Sequence, residues 1–380
     1  MLNYKNSPNR TSKTRPNVLF ILHVPPPIDG ASLMGQYVKD SDLLKQRLNG
    51  DFVNLTSSMS LKQIGKFQLT KFRIVYTMLQ EIWCLLRATK YDVCYMTITA
   101  QGAGFYKDFL IVLLLKFFGC NIIFHFHNKG VAQKSKKWYN HILYAITFKN
   151  TDCILLAPTL YQDIKRYFQP TKVHICNNGI PITNHPEALT NRAVKENKRC
   201  KFLFLSNMMP EKGVDVLLQS CQILKKKNMS FRMDFVGAWS DISEEDFKAK
   251  VKQMGLTNEV YGHGQKYGVE KITYLKEADV FVLPTYYKNE CFPLVLLEAM
   301  QYALPVISTY EGAITEIVEP GKTGLLIPQK NVVKLADAME HLLRNPRKRQ
   351  EMGRVGKNTF YKRYTLSTFE HNLLKILETT

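Results

Sequence analysis

Acidic residues are scarce in this chain: 32 Asp and Glu stand against 52 Lys and Arg, a formal net charge of +20 over 380 residues. The deficit favours polyanionic partners, whether nucleic acid, an anionic membrane face or phosphorylated substrates, and basicity by itself does not choose among them. Also missing is an apolar run that could cross a bilayer. The most apolar stretch, Phe109 to Phe118, is interrupted by Lys116 and falls far short of the ~20 residues required. Residues 1–16 are polar and basic with no apolar centre, so no secretory signal is expected, and the chain should be cytoplasmic, soluble or peripheral on a membrane. The eight cysteines form no CxxC pair and no Cys/His zinc spacing. Several lie in apolar runs, where a thiol acts as a small hydrophobe, a pattern of a reducing compartment rather than of a disulfide framework. No repeat of solenoid length is present. What remains is an ordinary globular balance, 45% hydrophobic and 22% charged, long enough for two cores.

After a basic tail (1–16), short apolar runs alternate with longer amphipathic ones. Strands are expected at Asn17–Val24, Asp92–Ile98, Asn121–Phe126, Asp152–Ala157 and Lys172–Cys176, with helices at Ser32–Leu48 and over 69–89, 104–118, 136–149 and 159–168. The rhythm breaks in a polar segment, 183–200, which reads as a linker. It restarts with KFLFLS at Lys201–Ser206, followed by strands at Phe231–Val236, Val280–Pro284, Pro305–Ser308 and Leu325–Ile327. Helices are expected over 214–227, 243–254, 268–277, 293–302 and 331–343, and in the tail at Ser367–Glu378. This alternation predicts an α/β protein of two doubly wound, Rossmann-like domains, 17–182 and 201–358. The helical tail, 359–380, would pack back toward the first domain. Ligands of such sheets bind outside the carboxyl ends of the strands.

Chemistry concentrates in the run from Thr285 to Met300, TYYKNECFPLVLLEAM. A strand ends in a polar loop, and Phe292-Pro293-Leu294 opens a helix, with Pro293 suited to the first turn because its missing N–H would be unpaired there anyway. The free amides at such a helix start form a phosphate site. Glu290 precedes the helix and Glu298 lies within it, eight positions on, so one carboxylate faces a ligand at the mouth while the other reaches alongside. Ionised oxygens accept short, strong hydrogen bonds from vicinal hydroxyls, which makes a sugar at one and a ribose at the other a coherent reading. In Leu205–Gly213, LSNMMPEKG, Lys212 is placed to meet a diphosphate as a point charge. His125 and His127 share a strand face, but no carboxylate or cysteine at ligand spacing joins them, so no metal site is expected. Gly321-Lys322-Thr323 mimics the end of a nucleotide-binding P-loop, yet Glu316 stands where its first glycine should be.

Glu290-x7-Glu298, followed by ALPVI, Glu311-Gly312-Ala313 and Gly321-Lys322-Thr323-Gly324, resembles the second half of the retaining GT-B glycosyltransferases of family GT4. The resemblance implies two domains facing across a cleft and transfer from a UDP- or GDP-sugar to a hydroxyl of a glycan or lipid-linked saccharide. The anomeric configuration would be retained and no metal or other cofactor required, in the setting of cell-surface polysaccharide synthesis. It implies catalytic roles for Glu290 and His127, the latter facing the donor sugar. Donor contacts would come from Gly30 in the first Pro/Gly loop, Asn207, Lys212, Phe292, Pro293, Leu294 and Glu298. Two positions depart from the family: Asn207 replaces a usual Arg, and Cys291 a usual Gly. A cysteine at positive φ would be strained.

A sugar-nucleotide epimerase or a phosphorylase shares this twin-domain fold but would need no acceptor alcohol. A basic nucleic-acid-binding protein is the non-enzymatic rival; no RRM, KH or zinc-finger pattern supports it, and nucleic acid is not expected as a partner. Two basic, apolar stretches, Lys62–Lys90 and Lys107–Phe118, fit peripheral attachment to an anionic membrane surface. The second is apolar on every side, which points instead to a helix that simply covers the sheet.

Overall fold

The computed structural model describes residues 15–56, 69–183 and 199–380. The polar segment 184–198 and most of the basic tail, together with Lys62 and Lys66, lie outside the described residues.

In the first half the strands are β1 (Asn17–Leu22), β2 (Asn49–Asn54), β3 (Val93–Ile98), β4 (Ile122–Phe126), β5 (Asp152–Leu155) and β6 (Val173–Ile175). The helices are α1 (Gly30–Asp40), α2 (Asp42–Arg47), α3 (Leu69–Ala88), α4 (Gly102–Phe117), α5 (Val131–Lys134), α6 (Trp138–Phe148) and α7 (Tyr161–Ile164). The expected single helix from Ser32 is thus two, because Ser41 leaves helical geometry and caps α2 through its side chain. β2, NGDFVN, escapes sequence reading: it is an exposed edge strand with little apolar content. All strand pairs are parallel, in the order β2-β1-β3-β4-β5-β6.

The second half repeats the scheme. Its strands are β7 (Cys200–Leu205), β8 (Phe231–Val236), β9 (Val260–Gly262), β10 (Val280–Leu283), β11 (Val306–Thr309) and β12 (Gly324–Ile327). Its helices are α8 (Val214–Lys226), α9 (Glu244–Gln253), α10 (Gly268–Glu277), α11 (Leu294–Gln301), α12 (Ile314–Ile317), α13 (Val332–Arg344), α14 (Pro346–Arg363) and α15 (Leu366–Thr379). The parallel order is β12-β11-β10-β7-β8-β9. Strand order reverses between β7 and β10 here, and between β1 and β3 in the first sheet. Loops leaving neighbouring strands there part to opposite faces, opening a crevice for ligand.

The chain passes between the domains twice, side by side. Ile180 N–H donates to Tyr364 O at 3.0 Å and Leu366 N–H to Ile180 O at 2.8 Å. A Cβ on Gly179 would lie 2.2 Å from Thr365 O, so only glycine admits this crossing. Beyond it α15 returns to the first domain, where Phe369 and Leu373 are buried in one cluster with Val18, Phe20 and Tyr95. Burying each such side chain contributes about 1.5–3 kcal/mol, so the last helix is part of the first domain's core.

α3, α4 and α6 cover the opposite face of the first sheet. α4 buries Phe105, Ile111, Val112 and Leu115, but it turns Tyr106, Leu110, Leu113 and Phe117 to solvent. The expectation that this helix only covers the sheet therefore fails: one apolar face covers it and another is left bare.

Candidate active site

Six loops, after β1, β3, β4, β7, β10 and β11, leave the carboxyl ends of the strands and meet across the cleft. From the first domain, Asp29 and Ser32 cap α1 reciprocally, at 2.8 and 2.9 Å, which fixes the loop that carries Gly30. A Cβ on Gly30 would lie 4.0 Å from Leu294 Cδ1, so this loop faces the mouth of α11. Gln101 Nε2 donates to Asn289 Oδ1 at 2.6 Å, and Lys129 pairs with Glu311. These two inter-domain contacts join loops that sequence reasoning treated separately, and no spacing rule could have paired them.

The second domain supplies charge. Lys212 Nζ lies 2.6 Å from Glu290 Oε2, with both side chains largely buried. Thr285 Oγ1 stands 3.3 Å from that oxygen, and the Tyr287 ring receives the Lys212 ammonium on its face at 4.7 Å from the centroid. The two loops that bring this pair together are laced by backbone: Tyr286 N–H donates to Glu211 O at 2.7 Å. Gly213 makes the approach feasible. Its φ is +89°, and a Cβ there would meet Pro284 O at 2.3 Å. Lys212 and Glu290 follow β7 and β10, so the pair sits at the point where strand order reverses.

Glu298 lies on α11, eight positions beyond Glu290. Lys271, which the sequence did not single out, donates to Glu298 Oε1 at 2.8 Å, while Oε2 is buried with no hydrogen-bond partner. Leaving a buried carboxylate oxygen unpaired is costly, and a ligand hydroxyl would satisfy it. Tyr37 of α1 approaches from across the cleft; its phenol pKa is raised by burial and by the Glu298 charge.

Three donor-loop expectations need adjustment. Pro293 is the N-cap of α11, with φ −69° and ψ 112°, rather than a residue of its first turn. The N–H groups at the helix mouth therefore begin with Leu294. The Phe292 side chain is buried and packs on buried Tyr364, ring centroids 5.9 Å apart, so it offers a ligand little beyond backbone. Cys291 is not among the residues with positive φ, and its thiol is buried, so no strain attends the replacement of glycine. The left-handed residue is Gly312, φ +55°, whose missing Cβ lets the next loop approach Glu290 O. Asn207 lies half-buried in the loop after β7, on the same turn that leads to Lys212.

The first domain offers imidazoles without charge. His125 is fully buried and its Nδ1 shares a 2.6 Å hydrogen bond with Tyr95 Oη, the core role expected of it. The His127 ring stands 4.2 Å from it, centroid to centroid, with Nδ1 buried and unpartnered. Burial, reinforced by neighbouring His23, pushes His127 down to about 3. His23, bonded to Thr97 Oγ1 at 3.1 Å, is pushed down to about 4, chiefly by burial and then by Lys107. Among the described residues no group of three His, Cys, Asp or Glu could hold a metal ion.

An ammonium–carboxylate pair at a reversal of strand order, a half-satisfied carboxylate on the next helix and a helix mouth beside them make an anion-and-hydroxyl site. Residues 187–359, which hold all of it, match the family model described as Glycosyl transferases group 1. The second half of the chain is thus similar to the group 1 glycosyl transferases. Among curated relatives, WcaL of Salmonella typhimurium, a glycosyltransferase named for colanic acid biosynthesis, is 28% identical over 56% of this chain and 52% of its own. The D-inositol 3-phosphate glycosyltransferase of an Arthrobacter strain is 30% identical over 40% of this chain and 36% of its own. The chain thus spans about half or less of the curated relatives it matches. Among solved structures, Anabaena HepE in complex with UDP and glucose superposes with a TM-score of 0.69 at 16% identity, over 96% of this chain and 100% of its own. That likeness extends the shared fold, two Rossmann-like domains in the GT-B arrangement, beyond the group 1 half.

Proposed function

We propose that this chain transfers a sugar from a UDP- or GDP-sugar to a hydroxyl of a glycan or lipid-linked saccharide, with retention of configuration, in polysaccharide synthesis. The observation that carries the reading is the Lys212–Glu290 pair at the mouth of α11, with Glu298 Oε2 left open beside it. A donor diphosphate would take Lys212 from Glu290, freeing the carboxylate to grip the sugar hydroxyls while Glu298 holds the ribose. The bond from the sugar's anomeric carbon to the leaving phosphate breaks as the acceptor oxygen bonds on the same face. The acceptor proton passes to the departing phosphate, whose charge Lys212 and the α11 N–H groups stabilise. His127, neutral, would orient the donor sugar. The WcaL relative, named for colanic acid biosynthesis, and the UDP held by the HepE structure support this choice of setting and donor.

The test is a panel of UDP- and GDP-sugars with glycan and lipid-linked acceptors, with products resolved by anomeric NMR. Acceptor-dependent transfer that retains the anomeric configuration and survives EDTA is expected. Turnover without acceptor would point to an epimerase or phosphorylase, and an inverted product would refute the retaining step.

A further inference from the structure

The bare outer face of the first domain has no part in the cleft chemistry. On α4, Tyr106, Leu110, Leu113 and Phe117 recur at helical spacing, 40–76% exposed. On α6 the same pattern holds for Trp138, Ile142 and Ile146, with Trp138 75% exposed. The two stripes are neighbours: Tyr106 Oη donates to Asn140 Oδ1 at 2.9 Å near their starts, and Lys116 Nζ donates to Lys149 O near their ends. α3 extends the surface, because half-exposed Trp83 stacks on Phe117 with centroids 6.2 Å apart. Isolated exposed hydrophobes are ordinary, but a plane of three helices presenting aromatic and aliphatic side chains marks an interaction surface.

Charge chooses the occupant. From Gly102 to Asn150 the chain holds seven lysines, of which Lys107 is buried against Asp108 and Lys129 is paired with Glu311 at the cleft, and the only acid in that span is the fully buried Asp108. Lys136 and Lys137 immediately precede Trp138, and Lys149 closes the other end of α6, all three exposed. A membrane interface asks for this combination: tryptophan, tyrosine and aliphatic side chains to enter the headgroup boundary, rimmed by lysines that meet lipid phosphates. No helix among the described residues is long and apolar enough to cross a membrane, so the contact would be made by a face and not by a span.

We infer that the outer face of α3, α4 and α6 docks flat on an anionic lipid bilayer. Flotation of the full chain with vesicles of phosphatidylcholine, with and without phosphatidylglycerol, tests this without any sugar nucleotide, and so independently of the transfer reaction. Binding to the mixed vesicles that weakens with added salt is expected. Leu113→Glu combined with Phe117→Glu should lower it about tenfold or more, and Trp138→Ser by a smaller factor. Both sites are exposed, so the melting temperature should hold. Brominated lipid should quench the tryptophan emission of the wild type. Failure of the wild type to float, equal flotation of the variants, or a dimer broken by the same substitutions without vesicle binding would each overturn the proposal.

Discussion

The carboxyl ends of the two sheets meet at one cleft with opposite electrostatics. The second sheet presents ion pairs, Lys212 with Glu290 and Lys271 with Glu298, held at 2.6 and 2.8 Å. The first presents imidazoles that burial keeps neutral, His127 at about 3 and His23 at about 4. Charge can be exchanged for ligand charge on one side, while the other offers chiefly hydrogen bonds, its Lys129 being already paired with Glu311. The outer faces differ as well: α9 carries exposed acids and lysines, whereas α4 and α6 present bare apolar stripes. One domain presents ion pairs to the cleft, the other chiefly neutral rings.

The largest test of that asymmetry is Glu290→Gln, which leaves Lys212 without its counter-charge and would remove the proposed sugar grip. Transfer at saturating donor should fall about 10²–10³-fold. A rate within a factor of a few of wild type would dissolve the distinction. Gly213→Ala attacks the scaffold that brings the charges together. With its positive φ and a Cβ 2.3 Å from Pro284 O, the variant should lose about 2 kcal/mol or more of stability in urea unfolding. An unchanged midpoint would show that the loops tolerate separation.

The first domain's effect is absent at neutral pH and grows only on acidification. His23 and His127 ionise less readily folded than unfolded, so the unfolded chain binds more protons between about pH 6.5 and each lowered value. The stability they contribute is complete above that window and is lost as pH falls through it, by about 1.4 kcal/mol per pH unit for each group. His23→Gln should flatten the slope between pH 6 and about 4, read by urea titration at several pH values. An identical slope in the variant would remove the imidazoles from the account.

The second domain was far more legible from sequence than the first, for physical reasons. Its cleft loops are local: Glu290, Pro293 and Glu298 are fixed by one strand–loop–helix, and Lys212 by another, so spacing carries geometry. Three elements escaped it: β9, α12 and α14. The sequence of α14, PRKRQEMGRVGKNTFYKR, has almost no apolar stripe, and it packs by closeness instead, with Gly353 so near Ala303 that a Cβ would lie 2.0 Å from its carbonyl. β2 was hidden because an edge strand needs little apolar surface. Lys271, and the contacts of Gln101 with Asn289 and of Lys129 with Glu311, depend on how distant segments are placed, which periodicity does not encode. The bare stripe of α4 shows the same limit: an all-round apolar helix reads as buried until its neighbours are known.

Thermal shift reads out whether the reversal point between β7 and β10 is a nucleotide-sugar site. UDP, GDP, ADP and TDP would be added to wild type and to Glu298→Ala, with and without magnesium. UDP or GDP should raise the wild-type melting temperature, with about 2.7 kcal/mol of stabilisation at a hundredfold excess over Kd, independent of the metal. The shift should be blunted in Glu298→Ala. No shift with any nucleotide, or an equal shift in both proteins, would contradict the claim.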